Sequence, residues 1–143
     1  MLIGEYQHNI DTKGRLIMPA KFRPDLGERF IITRGMDGCL FGFPMSSWET
    51  IHEKLKNLPL SKKDARTFTR LFYSAATEVE FDRQGRVNLP KKLIEFAKID
   101  KECRVVGVSD RIEIWSSEQW NNFSEMNDDE FENIAEDLFD FGF

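Results

Sequence analysis

Residues 11–22 read DTKGRLIMPAKF, and residues 82–93, which lie 71 positions further along the chain, read DRQGRVNLPKKL. Asp, Gly, Arg, Pro and Lys recur identically at matching positions, and three apolar positions keep their character. The similarity continues beyond this motif, since Asp37–Trp48 resembles Asp110–Trp120 after one deletion. Self-similarity at a fixed period is the sequence signature of a repeat. The chain is therefore a tandem duplication of one small β-rich unit.

Each copy predicts two strands joined by its Asp-x-x-Gly turn. The predicted strands are Gly4–Asn9 and Arg15–Met18 in the first copy, and Glu78–Phe81 and Arg86–Leu89 in the second. Gly14 and Gly85 suit a backbone position with positive φ, so we expect each turn to close a hairpin. Pro19 and Pro90 are then expected to open short helices, because proline suits the first helical position.

A second strand pair and further helices complete each copy. The predicted elements are the strands Phe30–Thr33, Leu40–Phe43, Arg104–Val108 and Ile112–Trp115, and the helices Ser46–Lys56, Ser61–Ser74 and Asp128–Phe141. Ser61 with Asp64, and Ser116 with Gln119, are expected to cap helices. The last helix carries an apolar stripe that is expected to face inward, formed by Phe131, Ile134, Ala135 and Leu138.

These elements divide the chain into four predicted parts. Residues 1–60 form a first repeat with its following helix, 61–75 a connecting helix, 76–124 a second repeat, and 125–143 an acidic C-terminal helix. The net charge of −5 is spread unevenly over them. Residues 1–104 hold 19 Lys and Arg against 14 Asp and Glu, whereas residues 105–143 hold one Arg against 11 acidic residues. An acidic C-terminal segment therefore masks a basic body that suits nucleic acid.

Several classes of function find no support in the sequence. Cys39 and Cys103 lie in apolar stretches, and neither His8 nor His52 has a third soft ligand nearby, so no metal site is expected. There is no Gly-rich phosphate loop and no nucleophile paired with a histidine, so we predict no catalysis, cofactor or small-molecule substrate. No apolar run approaches the roughly 20 residues that cross a bilayer. Residues 1–11 lack the pattern of a signal peptide, so a cytoplasmic protein is expected.

The cations of the repeated motif favour DNA binding. The candidate DNA-binding residues lie on the two turns and on the segments that follow them: Lys13, Arg15, Lys21, Arg23, Arg83, Arg86, Lys91 and Lys92. Arginine and lysine on a rigid hairpin suit phosphate neutralisation and contact with guanine edges. Asp11 and Asp82 are interpreted as structural, because a carboxylate at the start of such a turn accepts backbone N–H bonds and orients the Arg four residues on.

The doubled motif resembles the MraZ family, in which the motif of the AbrB/SpoVT-type swapped-hairpin regulators occurs twice. The resemblance covers nearly the whole chain and includes Gly4-Glu5-Tyr6, Thr33-Arg34-Gly35, Cys39-Leu40, Lys63-Asp64-Ala65-Arg66 and Ile112-Glu113-Ile114-Trp115. It implies an α+β fold of tandem swapped-hairpin β-barrel units with flanking helices. It also implies that Arg15 and Arg86 contact DNA, with Asp11 and Asp82 as their motif partners.

The function implied by this resemblance is sequence-specific transcriptional regulation. A family member is expected to bind direct repeats of double-stranded DNA in the promoter of the bacterial division and cell-wall gene cluster, to associate with the nucleoid, and to assemble into a closed homo-oligomeric ring. Because one chain carries both hairpins, a monomer can form the DNA-binding unit by itself. Its outer surfaces are then free for ring assembly.

Other interpretations stay open on the sequence alone. An AbrB-like antitoxin would use the acidic tail to bind a protein partner, and a purely structural ring would not bind DNA. Asp11 and Asp82 could be read as a glycosidase pair, but their shared turn context favours structural roles. Lys62, Arg66 and Arg70 form a second stripe on the helix Ser61–Ser74, and this stripe fits a solvated face, a subunit interface or a DNA contact.

Overall fold

The computed structural model describes residues 1–142. Its strands are β1 Leu2–Asn9, β2 Arg15–Ile17, β3 Arg29–Arg34, β4 Leu40–Pro44, β5 Thr77–Glu80, β6 Arg86–Asn88, β7 Glu102–Ser109 and β8 Ile112–Ser116. Its helices are α1 Arg23–Leu26, α2 Met45–Lys56, α3 Lys63–Ala75, α4 Lys91–Phe96, α5 Ser117–Asn127 and α6 Phe131–Phe139, with a 3₁₀ turn over Asp128–Glu130. This mixture of an antiparallel sheet and flanking helices confirms the predicted α+β class.

The two halves of the chain exchange their first strands. Six strands form one antiparallel sheet in the order β1-β7-β8-β4-β3-β5, so β1 of the first half pairs with β7 of the second. In the same way, β5 of the second half pairs with β3 of the first. The remaining strands, β2 and β6, pair with each other as a separate antiparallel ribbon. The fold is therefore the swapped arrangement of two copies within one chain.

A pseudo-twofold axis relates the two halves. Leu16 and Val87 occupy the same position of the repeated motif and lie directly opposite each other in the ribbon. Phe41 and Glu113, which match once the single deletion is allowed for, lie opposite each other where β4 meets β8. The axis thus passes through the middle of the ribbon and the middle of the sheet.

The core lies between the ribbon and one face of the sheet. Leu16 and Val87 point into it from the ribbon, where they meet apolar side chains that alternate along the central strands, including Leu40, Ile112 and Ile114. All five side chains are buried. Alternation of this kind is what a sheet face packed on a core requires.

Helices cover the opposite face of the sheet. Phe43 of β4 contacts Trp48 of α2 and Phe72 of α3, and the two latter rings stack at 5.7 Å. In the second half, Trp115 of β8 packs against Trp120 of α5 at 5.4 Å. These aromatic pairs fix the helices to the face that lies away from the ribbon.

Two local predictions on the motif need correction. The Asp-x-x-Gly turns form as expected, but the strands on either side of each turn diverge, and the first hairpin keeps one residue bridge, Ile10 with Leu16. The cause is that β1 pairs with β7 instead of with β2, and this pairing involves eight residues of β1. Neither proline occupies the first position of a helix. Pro90 is the N-cap of α4. Pro19 begins a turn that ends at Phe22, and α1 begins only at Arg23.

The helix caps and the C-terminal stripe also differ in part from expectation. Ser116 caps α5 as predicted, since its hydroxyl accepts the Gln119 backbone N–H at 3.1 Å. The predicted capping by Ser61 is wrong, because a turn from Pro59 to Lys62 makes Lys62 the N-cap of α3. The prediction that the C-terminal stripe faces inward is also wrong: its large side chains are exposed by 73% at Phe131, 47% at Ile134 and 46% at Leu138.

Candidate nucleic-acid interface

The two repeated turns have the same hydrogen-bond geometry. In the first, Asp11 Oδ1 accepts the backbone N–H groups of Lys13 and Arg15, each at 2.9 Å, and its Oδ2 accepts Arg15 Nε at 2.7 Å. In the second, Asp82 accepts the backbone N–H groups of Gln84 and Arg86 at 2.9 Å and Arg86 Nε at 2.7 Å. The aspartates thus hold the arginines by both backbone and side chain, as the sequence predicts.

These bonds keep both carboxylates ionised. The pKa of Asp11 is lowered, first by the backbone N–H of Arg15 and further by the guanidinium of the same residue. The pKa of Asp82 is lowered in the same way by Arg86. Since a guanidinium carries five N–H donors and each aspartate accepts only the one on Nε, the four donors on the two Nη atoms remain for a ligand.

The ribbon carries both arginines on its outer face. Arg15 lies opposite Asn88 and Arg86 lies opposite Ile17 in the β2–β6 register. These four residues alternate with the buried Leu16 and Val87, so their side chains point away from the core. We call this group of Arg15, Ile17, Arg86 and Asn88 the outer face of the ribbon.

Each turn forms a backbone hydrogen bond with the opposite half of the chain. The Gly14 carbonyl accepts the Leu89 N–H at 2.8 Å, and the Gly85 carbonyl accepts the Met18 N–H at 3.0 Å. Both glycines have positive φ, 80° and 76°, which disfavours other residues there. At Gly85 a Cβ would lie 2.2 Å from the Arg23 Cζ, so the glycine also makes room for that guanidinium.

The other predicted DNA-binding cations divide into two groups. Most have exposed side chains: Lys13, Lys21, Arg83, Lys91 and Lys92. Arg23 is different, because its Nε and Nη2 donate to the Met18 carbonyl at 3.1 and 2.9 Å and its side chain is half-buried. Its equivalent in the second half is Ile94, whose side chain packs over Gly14. The contacts of Arg23 therefore stabilise the end of the ribbon that holds Met18 and Gly85.

Sequence reasoning overlooked two members of the outer face, Ile17 and Asn88. The signal was available, since both follow the buried position of the motif by one residue and period-2 alternation places them beside the arginines. Neither residue is among the DNA-binding residues that the sequence predicts.

The described residues show little else with the chemistry of an active site. Within residues 1–142, no group of three or more His, Cys, Asp or Glu side chains is placed to hold a metal ion. Burial raises the pKa of the Cys39 and Cys103 thiols to about 12, which leaves both poor nucleophiles. None of the helices in this part of the chain is long and apolar enough to span a membrane.

One family model matches both halves of the chain. The family model described as "MraZ protein, putative antitoxin-like" matches residues 1–71 and again residues 72–142. The boundary between the two matches falls within α3, and each matched segment contains one complete turn with its aspartate and arginine. The match therefore agrees with the internal repeat.

The lowered aspartate pKa values predict a pH-dependent contribution to stability. A carboxyl whose folded pKa is depressed stabilises the fold above its unfolded pKa of about 3.9, and this stabilisation is lost as the pH falls through the folded pKa. Asp82→Asn should therefore lower the free energy of unfolding at pH 7, and the difference from wild type should shrink below about pH 4. Urea unfolding across this pH range measures it.

The matched control is Asp129→Asn, which changes an exposed aspartate in the 3₁₀ turn. It should leave the unfolding free energy close to that of wild type at both ends of the pH range. A deficit of Asp82→Asn that stays constant down to pH 2 would contradict the assignment of the depressed pKa to the turn.

Proposed function

Since the chain belongs to the MraZ family, we propose that it is a sequence-specific DNA-binding transcriptional regulator rather than an enzyme. One observation carries the proposal: two aspartate-anchored arginines lie on the outer face of an antiparallel ribbon and are related by a pseudo-twofold axis. Double-stranded DNA is the proposed ligand because its base edges and phosphates match this arrangement of donors.

The ribbon suits the major groove. The groove of B-DNA is wide enough to admit a two-stranded β-ribbon, and guanine offers there two acceptors, O6 and N7, that fit an arginine. Arg15 and Arg86 have their Nε atoms held by aspartate, so their Nη donors are pre-oriented. Pre-orientation lowers the side-chain entropy that is lost on binding.

The remaining cations are proposed to contact phosphates. Lys13 and Arg83 lie on the turns that flank the ribbon, and Lys21, Lys91 and Lys92 follow on the adjoining segments. Phosphate contacts set the position and orientation of a protein on the duplex but carry no sequence information. Arg23 is the weakest member of this set, because its guanidinium is already bonded to the Met18 carbonyl.

The proposed target is a set of direct repeats in the promoter of the division and cell-wall gene cluster, bound in the cytoplasm as part of the nucleoid. Footprinting of the purified protein on DNA upstream of its own gene tests this choice of target. Protection of regularly spaced, like-oriented elements is expected there. Protection spread evenly over the fragment would contradict sequence-specific regulation.

We further propose a closed homo-oligomeric ring in which α6 of one copy docks on α3 of the next. The apolar stripe of α6 is exposed and is flanked by acidic residues such as Glu132 and Glu136. On α3, Leu71 is 46% exposed, and the cations Lys63 and Arg70 lie one heptad apart on the helix surface. Apolar burial with opposite charges at the rim is typical of a specific interface.

A second candidate function uses the same C-terminal surface. An antitoxin-like protein would present the acidic and apolar α6 to a different protein. The matched family is itself described as antitoxin-like. The exposed stripe of Phe131, Ile134 and Leu138 is the observation that favours it. Co-purification of a small partner protein at fixed stoichiometry, bound through α6, would support this alternative over the ring.

Removal of either anchored arginine should weaken specific DNA binding. A good bidentate contact to a base contributes about 1–3 kcal/mol, so Arg15→Ala and Arg86→Ala should each lower affinity for the footprinted element about 5- to 150-fold. Gel shifts measure this effect. The matched control is Arg29→Ala, which removes an exposed arginine on β3, away from the ribbon, whose partner is Glu78 at 3.8 Å. If both ribbon variants bind like wild type, the assignment of the DNA-contacting face is wrong.

Reversal of charge on α3 should disrupt assembly, and reversal on α6 should restore it. Lys63→Glu with Arg70→Glu places like charges opposite the acidic α6 of the neighbouring copy, so light scattering should report smaller particles. Adding Glu132→Lys with Glu136→Lys in the same chain recreates opposite charges at every interface of the ring. The control is Lys54→Glu on α2. A wild-type protein that is monomeric at micromolar concentration, or an unchanged particle size after reversal on α3, would contradict the interface.

A further inference from the structure

The outer face of the ribbon departs from the symmetry of its backbone. Arg15 and Arg86 are equivalent by the repeat and are held in the same way. Ile17 and Asn88 are also equivalent by the repeat, yet one is apolar and the other is a carboxamide. The axis runs between Leu16 and Val87 and divides the outer face into two arms. One arm consists of Arg15 and Asn88, and the other consists of Arg86 and Ile17, so the two arms differ in chemistry.

Neither of the two unequal residues contributes its side chain to the buried core. Asn88 is exposed, its carboxamide has no hydrogen-bond partner within residues 1–142, and asparagine is a poor strand former. Ile17 is 43% exposed, because alternation along β2 directs it away from the core that holds Leu16. Residues that break a local rule without gain to packing are expected at functional positions.

The two side chains select different bases. Asparagine in the major groove donates to and accepts from the N7 and N6 atoms of adenine, whereas an apolar side chain contacts the C5-methyl group of thymine. We propose that Asn88 and Ile17 are specificity-determining residues, and that one chain reads a directional element. In this element each arm contains a guanine read by arginine, next to an adenine on the Asn88 arm and a thymine on the Ile17 arm. The inference rests on the proposed DNA-binding function and extends it.

Direction matters for a protein that binds repeats. An exact twofold unit binds an element equally well in both orientations, because rotation about its axis exchanges identical arms. The difference between Asn88 and Ile17 removes this equivalence. Copies in a ring all share one orientation relative to the ring axis. A directional unit therefore matches direct repeats and discriminates against repeats in which one element is inverted.

Selection from a pool of DNA duplexes with a randomised central window tests the inference. For the wild-type protein, the enriched sequence should not be its own reverse complement. Ile17→Asn should enrich an element with adenine on both arms, and Asn88→Ile should enrich one with thymine on both arms. Either change makes the outer face symmetric, so the enriched element should become self-complementary. Exchange of the selected adenine for another base should weaken wild-type binding about 5- to 150-fold, and Asn88→Ala should remove that preference.

A second measurement leaves the protein unchanged. Replacement of the selected thymine by uracil removes only the C5-methyl group from the duplex. Loss of one buried methyl group corresponds to about a fourfold weakening, which wild type should show and Ile17→Ala should not. Both side chains are exposed, so thermal unfolding of the variants should stay near wild type.

The outcomes separate the inference from the function on which it rests. A self-complementary element enriched by the wild type, or an element unchanged by Ile17→Asn, would overturn the directional reading while DNA binding stands. Equal wild-type affinity for the thymine and uracil duplexes would overturn the role of Ile17. Failure of the wild type to enrich any sequence would overturn the proposed function and the inference together.

Discussion

The antiparallel pairing of β2 with β6 is the contact on which the rest of the structure depends. It joins equivalent residues of the two halves across the pseudo-twofold axis, with Leu16 opposite Val87. The ladder continues on both sides through the carbonyls of Gly14 and Gly85, which accept the amides of Leu89 and Met18. Because each turn is hydrogen-bonded to the other half, the first strand of each half pairs with a strand of the other half within the shared sheet. The exchange of strands and the two arms of the outer face both follow from the antiparallel pairing of β2 with β6.

Duplication within one chain frees the two arms to differ. In a symmetric dimer every substitution appears twice, whereas here each half mutates alone. The halves stay identical where the turn needs one geometry, as at the aspartates and glycines that hold the arginines. They differ where the backbone imposes no residue: Arg23 and Ile94 cover the opposite glycines by different chemistry, and Ile17 and Asn88 face outward. The two copies of the motif thus keep the same turn geometry but present different side chains on the surface.

The sequence predicts what depends on neighbours in the chain. The positive-φ turns, the aspartate anchors and the strand pair predicted over Phe30–Thr33 and Leu40–Phe43 all rest on local patterns, and the structure confirms them. Strand exchange is not local, because the turn chemistry of Asp-x-x-Gly fits a simple hairpin equally well. The stripe of α6 shows a second limit, since periodicity reveals that an apolar face exists but not that the single chain leaves this face exposed. The pairing of Ile17 with Arg86 and of Asn88 with Arg15 shows a third limit, because it depends on which strand lies opposite.

A structure of the protein bound to a duplex that carries its upstream direct repeats tests the central claim most directly. The account predicts that the β2–β6 ribbon enters the major groove, with the Nη atoms of Arg15 and Arg86 within hydrogen-bond distance of guanine O6 and N7. It also predicts that the aspartate bonds to both Nε atoms persist in the complex, since they orient the arginines before binding. DNA bound along α3 or α6, with the outer face of the ribbon left in solvent, would contradict it.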